Sequence, residues 1–100
     1  MYICIAGKNI CAIDALKYLL YRNINRGRIL VLPNDNDIGK SSWQPSLKKF
    51  AITNNIKIAR LEKLYEIKEL FFFSLEYDKI INIDKFKSNN LFNFHFSLLP

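Results

Sequence analysis

Along this chain, unbroken apolar blocks alternate with stretches in which apolar residues return every third or fourth position. The first block, MYICIAG at 1–7, is apolar throughout and closes on Gly7, which predicts a buried strand. Ile13, Leu16, Leu19 and Leu20 then repeat at helical spacing and predict a helix over about 12–22. GRILVLP at 27–33 predicts a second strand, closed by Pro33. NDNDIGKSS at 34–42 is a run of turn formers and predicts a polar loop. WQPSLKKFAITNN at 43–55 predicts a second helix, with Pro45 in its first turn and Trp43, Leu47, Phe50 and Ala51 on its inner stripe. IKIARL at 56–61 predicts a short third strand and EKLYEI at 62–67 a helical turn or loop. ELFFFSLEY at 69–77 predicts the fourth strand, KIINIDKF at 79–86 another helical turn, and LFNFHFSLL at 91–99 the fifth strand.

Strands alternating with helices imply an α/β fold, a Rossmann-like parallel sheet with helices on both faces. The unbroken apolar runs at 29–32 and 70–73 fit parallel strands buried on both sides. No linker, repeat or low-complexity stretch divides the chain, so 1–100 is expected to be a single domain. Sheets of this kind bind ligands at the carboxyl ends of their strands. Three polar clusters fall at those predicted ends: GKN at 7–9, SLEYDK at 74–79 and NFHFS at 93–97. In the second, Ser74, Glu76 and Asp78 alternate along the strand end, a pattern that a solvated strand terminus would also give.

Composition narrows the options. Half the residues are hydrophobic, enough for a packed core. Fifteen Lys and Arg against nine Asp and Glu leave a charge of +6, which suits phosphates or nucleic acid. Eleven of the fifteen are Lys, however, and the chain is also heavy in Ile and Asn. All three have AT-rich codons, so a low-GC genome yields the same bias without function, and nucleic acid is not the favoured partner. Cys4 and Cys11 are separated by six residues with no His or Cys partner nearby, which argues against a metal site. Gly7 stands alone, so the G-x-G-x-x-G dinucleotide fingerprint is missing, as is a P-loop. No secretory leader and no apolar run of about 18–20 residues is present, so a soluble cytoplasmic chain without membrane contact is expected.

The fifth block carries the chemistry. Read as a strand, Leu91, Asn93, His95 and Ser97 share one face, while Phe92, Phe94 and Phe96 share the other. Two residues apart, Asn93 and His95 have Cβ atoms roughly 6–7 Å apart and reach one ligand atom. Histidine is the natural base near neutral pH, and a side-chain amide N–H stabilises a developing oxyanion. The pair suits acyl-type transfer to an amine. The competing interpretation is a half-buried histidine satisfied by a neighbour, within a non-catalytic α/β binding module.

FNFHFSLLP resembles the N-x-H-x-S-L-L-P signature of the 10-formyltetrahydrofolate-dependent formyltransferases, a family that includes enzymes acting on methionyl-tRNA, glycinamide ribonucleotide and nucleotide sugars. GKN…IDALKYLL, PNDNDIGKSSWQPSLKKFA and FFFSLEYDKII are similar to the sugar branch, the dTDP-4-amino-4,6-dideoxyhexose N-formyltransferases. The resemblance implies formyl transfer from 10-formyltetrahydrofolate to the amine of a dTDP-amino sugar, for lipopolysaccharide O-antigen or another surface polysaccharide, with a methionyl-tRNA formyltransferase-type enzyme as the alternative. It implies Asn93 as the oxyanion amide and His95 as the catalytic base. Ser74, Leu75 and Glu76 would flank the folate pterin largely through backbone groups, with Ser97 and Leu98 opening the loop beside the active site. Lys8 and Asn9 would face the nucleotide sugar, as would Trp43 and Gln44 of the SWQ stretch. For Trp43, a core-capping role is the simpler expectation.

The same resemblance implies a later Asp, some 35–40 residues past the motif histidine, and a continuation of SLLP. Residues 1–100 are therefore expected to be an incomplete N-terminal domain, truncated after the fifth strand and inactive alone. They should also leave an aromatic face open to self-association.

Overall fold

The computed structural model describes residues 1–79 and 81–94, and of Asn9 the backbone alone. Five parallel strands form one sheet: β1 (Tyr2–Gly7), β2 (Ile29–Pro33), β3 (Lys57–Ile58), β4 (Leu70–Leu75) and β5 (Asn90–Phe94), in the order β3-β2-β1-β4-β5. Helices α1 (Asn9–Tyr21), α2 (Leu47–Thr53) and α3 (Leu61–Tyr65) and two 3₁₀ turns, Arg26–Arg28 and Ile83–Lys85, connect them. The expected Rossmann-like α/β architecture is present.

Alternation along the central strands builds two cores. Ile5, Ile29, Val31 and Leu75 face one side, where Leu16 of α1 and Leu47 and Ala51 of α2 cover them. Cys4, Ala6, Leu30, Leu32, Leu70 and Phe72 face the other, under Leu64 of α3 and Phe86. Helices thus lie on both faces, which is why the strands read as unbroken apolar runs.

Four boundaries differ from expectation, each for a local reason. α1 begins at Asn9, a turn earlier than expected, because the backbone turns helical directly after an extended Lys8. α2 begins at Leu47, since Ser46 is extended and its Oγ accepts the N–H of Lys49 as an N-cap. Pro45 therefore precedes the helix, and Trp43 is 86% exposed rather than on an inner stripe or capping the core. β3 is only two residues long. β4 stops at Leu75, because Glu76 takes the left-handed conformation (φ +61°), so Ser74, Glu76 and Asp78 do not alternate along a strand.

Gly7 is required where β1 meets β4. Its φ is +144°, and a Cβ there would lie 1.9 Å from the carbonyl oxygen of Leu75. Both neighbours are backbone, so nothing can swing aside. Gly7→Ala is expected to lower stability by about 3 kcal/mol or more, the upper end of overpacking penalties, measured by urea unfolding. The two thiols are equally distinguishable: Cys4 is wholly buried, which pushes its pKa far up, and Cys11 is exposed. Ellman's reagent should titrate one thiol in the native chain and a second only on unfolding.

Candidate functional site

β1 to β3 run outward in one direction, and the chain then crosses back to place β4 on the other flank of β1. The strand order therefore reverses between β1 and β4, and the crevice at their carboxyl ends is the switch point where such sheets bind ligands. Gly7 and Leu75 pair there, with Pro33 on the far side of Gly7 and Phe94 beyond Leu75.

Asn34, the first residue after β2, binds this end together. It is 2% exposed. Its backbone N–H donates to the Gly7 carbonyl (3.1 Å). Its Nδ2 donates to the Glu76 carbonyl and its Oδ1 accepts the Asp78 N–H, both at 3.2 Å. The ends of β1, β2 and β4 are thereby joined through one residue, by its backbone to Gly7 and by its side chain to the segment after β4. Outside it, Lys79 pairs with Asp35 at 3.0 Å, and that contact raises the lysine pKa. Tyr77, between them in sequence, is partly buried, which raises its pKa and keeps the phenol neutral.

Three spaces open at this end of the sheet. One of about 390 Å³ lies past β2 and is lined by Pro33, Asn34, Tyr77 and Lys79. Another, about 370 Å³, lies on the Phe72 side of the sheet. Its walls include Ser74, Glu76 and Asn93, with Phe72, Phe86 and Ile81 supplying apolar surface. Asn93 stands directly opposite Ser74 in the β4–β5 ladder, on the same face. Three of the expected site residues are thus brought together. Leu75 is different: its side chain lies in the core with Ile5, so only its backbone faces the strand end.

The smallest of the three, about 110 Å³, is lined by Lys8 and Gln44 together with Asp37 and Ser46. Asp37 organises this loop. One carboxylate oxygen accepts the N–H of Gly39 (3.0 Å) and the hydroxyl of Ser46, and the other accepts the N–H of Lys48 (2.9 Å). Trp43 stands exposed on the same loop. Lys8 is the N-cap of α1, with no side-chain cap and no acidic residue in the first turn. The positive end of the helix dipole is left uncompensated beside a lysine, an arrangement that favours an anion. Asn9 contributes the first helical residue there. His95, Ser97 and Leu98 lie outside the described residues.

Neither Asn34 nor Asp37 was singled out from sequence. Both sit in NDND, immediately past a strand's carboxyl end, and that position is a signal in itself. The partners of the Asn34 side chain, 42 and 44 residues away, are not readable from local pattern.

A parallel sheet with polar side chains gathered at its switch point defines a ligand-binding domain of the Rossmann-like class. The N-formyltransferase from Helicobacter canadensis, solved in complex with folinic acid and dTDP-3-aminofucose, matches with a TM-score of 0.89 and 48% identity over 93% of this chain. WlaRD, a sugar 3N-formyl transferase solved in the presence of dTDP and 5-N-formyl-THF, matches with a TM-score of 0.91 and 52% identity over 96% of this chain. The chain spans 35% of the length of each. No protein-family model and no curated protein matches it. The family resemblance read from the sequence is borne out: over nearly all its length this chain is similar to sugar N-formyltransferases, and it matches part of one.

Asp37→Ala removes three hydrogen bonds from the loop that carries Trp43 and Gln44. Stability should fall by about 1–3 kcal/mol. Fluorescence anisotropy of Trp43, the only tryptophan, should fall with it if the loop loosens as expected.

Proposed function

We propose that this chain supplies the formyl-donor and amine-facing part of an N-formyltransferase. It would move the formyl group of 10-formyltetrahydrofolate to the amine of a dTDP-amino sugar destined for surface polysaccharide. The observation that carries the proposal is the position of Asn93, opposite Ser74 at the wall of the 370 Å³ cavity. That volume lies in the range of small-molecule sites, and its mixture of aromatic surface with a few polar groups suits a flat heterocycle. The 110 Å³ space beside Lys8 and the open α1 N-terminus suits the diphosphate. The likeness at about half identity to two enzymes crystallised with formyl-folates and dTDP ligands supports the same assignment.

The chemistry follows from side-chain types. As the sugar amine attacks the formyl carbon, negative charge grows on the formyl oxygen, and the Asn93 amide donates a hydrogen bond to it. His95, two residues further along the sequence, takes the proton released by the nitrogen. When the carbon–nitrogen bond to the donor breaks, the same proton returns to the leaving nitrogen. Ser74, Leu75 and Glu76 would hold the folate through backbone groups, Ser97 and Leu98 would border it, and Lys8, Asn9, Trp43 and Gln44 would face the nucleotide sugar.

In an intact enzyme carrying this sequence, given a formyl-folate donor and a dTDP-amino sugar acceptor, His95→Ala should abolish transfer while leaving dTDP binding intact. Asn93→Ala should lower kcat by about 10²–10³-fold, the cost of one oxyanion donor. Unaltered turnover in either variant would sink the assignment. So would a chain stabilised by neither 5-formyltetrahydrofolate nor dTDP in a thermal shift assay. Phe92 and Phe94, 42% and 45% exposed on the outer strand, favour self-association of this chain, to be read as a sedimentation coefficient that rises with concentration.

A further inference from the structure

We propose that Asn34 is a positioning residue for the folate subsite, acting through the backbone of 76–78. The inference rests on assigning the cavity beside Asn93 to the formyl donor. Glu76 and Tyr77 form part of that cavity's wall. They directly follow β4, and among the described residues none between Leu75 and the 3₁₀ turn at Ile83 belongs to a helix or strand. Glu76 must also hold a left-handed conformation that a non-glycine residue adopts only when its surroundings enforce it.

Hydrogen bonds reach this segment from both flanks. The Glu76 N–H donates to the Phe94 carbonyl at 3.3 Å. On the other flank, both hydrogen bonds of the Asn34 side chain go to this segment, one to the Glu76 carbonyl and one from the Asp78 N–H. A carboxamide is suited to the task because it donates and accepts at once. The Lys79–Asp35 pair lies outside and is exposed on both partners, so it adds little. The sheet itself does not need the Asn34 side chain, since the β1–β2 ladder is complete at Pro33 and the bond to Gly7 uses the backbone. What the side chain fixes is the wall, and through it the distance from the wall to Asn93.

The test uses Asn34→Asp, which keeps the shape and loses the donor to Glu76, and Asn34→Ser as a smaller neutral alternative. Amide hydrogen exchange at 76–78 is followed together with calorimetric affinities for 5-formyltetrahydrofolate and dTDP. Exchange there should accelerate and folate affinity fall about tenfold, the scale of one lost hydrogen bond, with dTDP affinity within about twofold. Faster exchange with unchanged folate affinity, or an equal loss for both ligands, overturns the inference. So does failure of both variants to unfold cooperatively, which would make Asn34 a keystone of the fold. An unsubstituted chain that ignores 5-formyltetrahydrofolate overturns the assignment of the cavity as well. A folate-binding chain with indifferent variants overturns the role of Asn34 alone.

Discussion

The approach of β1 to β4 at Gly7 and Leu75 is the constraint on which the rest of this architecture depends. There the space for a Cβ on Gly7 is already filled by a carbonyl oxygen. From this point the chain leaves in opposite directions. Lys8 leads into α1 on the face of Leu16, while Glu76 leads toward the cavity on the face of Phe72. Divergence of two connections from adjacent strands is what opens a crevice in a parallel sheet. The crevice keeps its shape because Asn34, itself hydrogen-bonded to Gly7, holds the Glu76 side as well. A glycine at the end of β1 and an asparagine just past the end of β2 thus supply both the opening and its restraint.

The two sides of the crevice differ in physical character. On the Lys8 side, a helix N-terminus with no acidic residue in its first turn adjoins a small polar space lined by Lys8, Lys40 and Asp37. On the Asn93 side, the apolar surface of Phe72, Ile81, Phe86 and Leu91 lines the cavity beside the polar Ser74, Glu76 and Asn93. On the proposed function these become a diphosphate half and a heterocycle half. The separation is economical in electrostatic terms. An anion held near the α1 terminus stays on the other side of the crevice from the charge that develops beside Asn93, where the amide dipole faces it.

The strands were legible in the sequence because burial on both faces leaves unbroken apolar runs, as at Ile29 to Leu32 and Leu70 to Phe73. The start of α2 was not legible. Apolar spacing admits Trp43 to the helix, but the Asp37 carboxylate captures Ser46 and the N–H of Lys48 and sets the first turn there. Trp43 shows the limit of assigning aromatics to packing, because the tethered loop presents it to solvent. The left-handed Glu76 had no local signal either: glutamate is not a residue that favours this conformation, and the contacts that impose it come from β5 and from Asn34. Of the candidate site, Asn93 was found through period-2 alternation and the family motif together. Asn34 escaped both, since its work is done with backbone groups more than forty residues away.

β5 has one polar-bearing face and one aromatic face, and its two faces are held unequally. Leu91 packs into the core beneath Phe86. On the opposite side Phe92 stacks on Phe73 with centroids 5.0 Å apart and planes 13° from parallel, yet remains 42% exposed, and Phe94 is 45% exposed. Asn93 lies between these two rings in sequence, so the ladder to β4 and one stacked pair are its main restraints. An oxyanion donor gains its effect from being fixed before the charge develops, and looseness in the strand erodes that effect directly. Burial of Phe92 and Phe94 would therefore act on the chemistry across the strand, at the position of Asn93, as much as on stability. The aromatic face and the amide face are one mechanical unit.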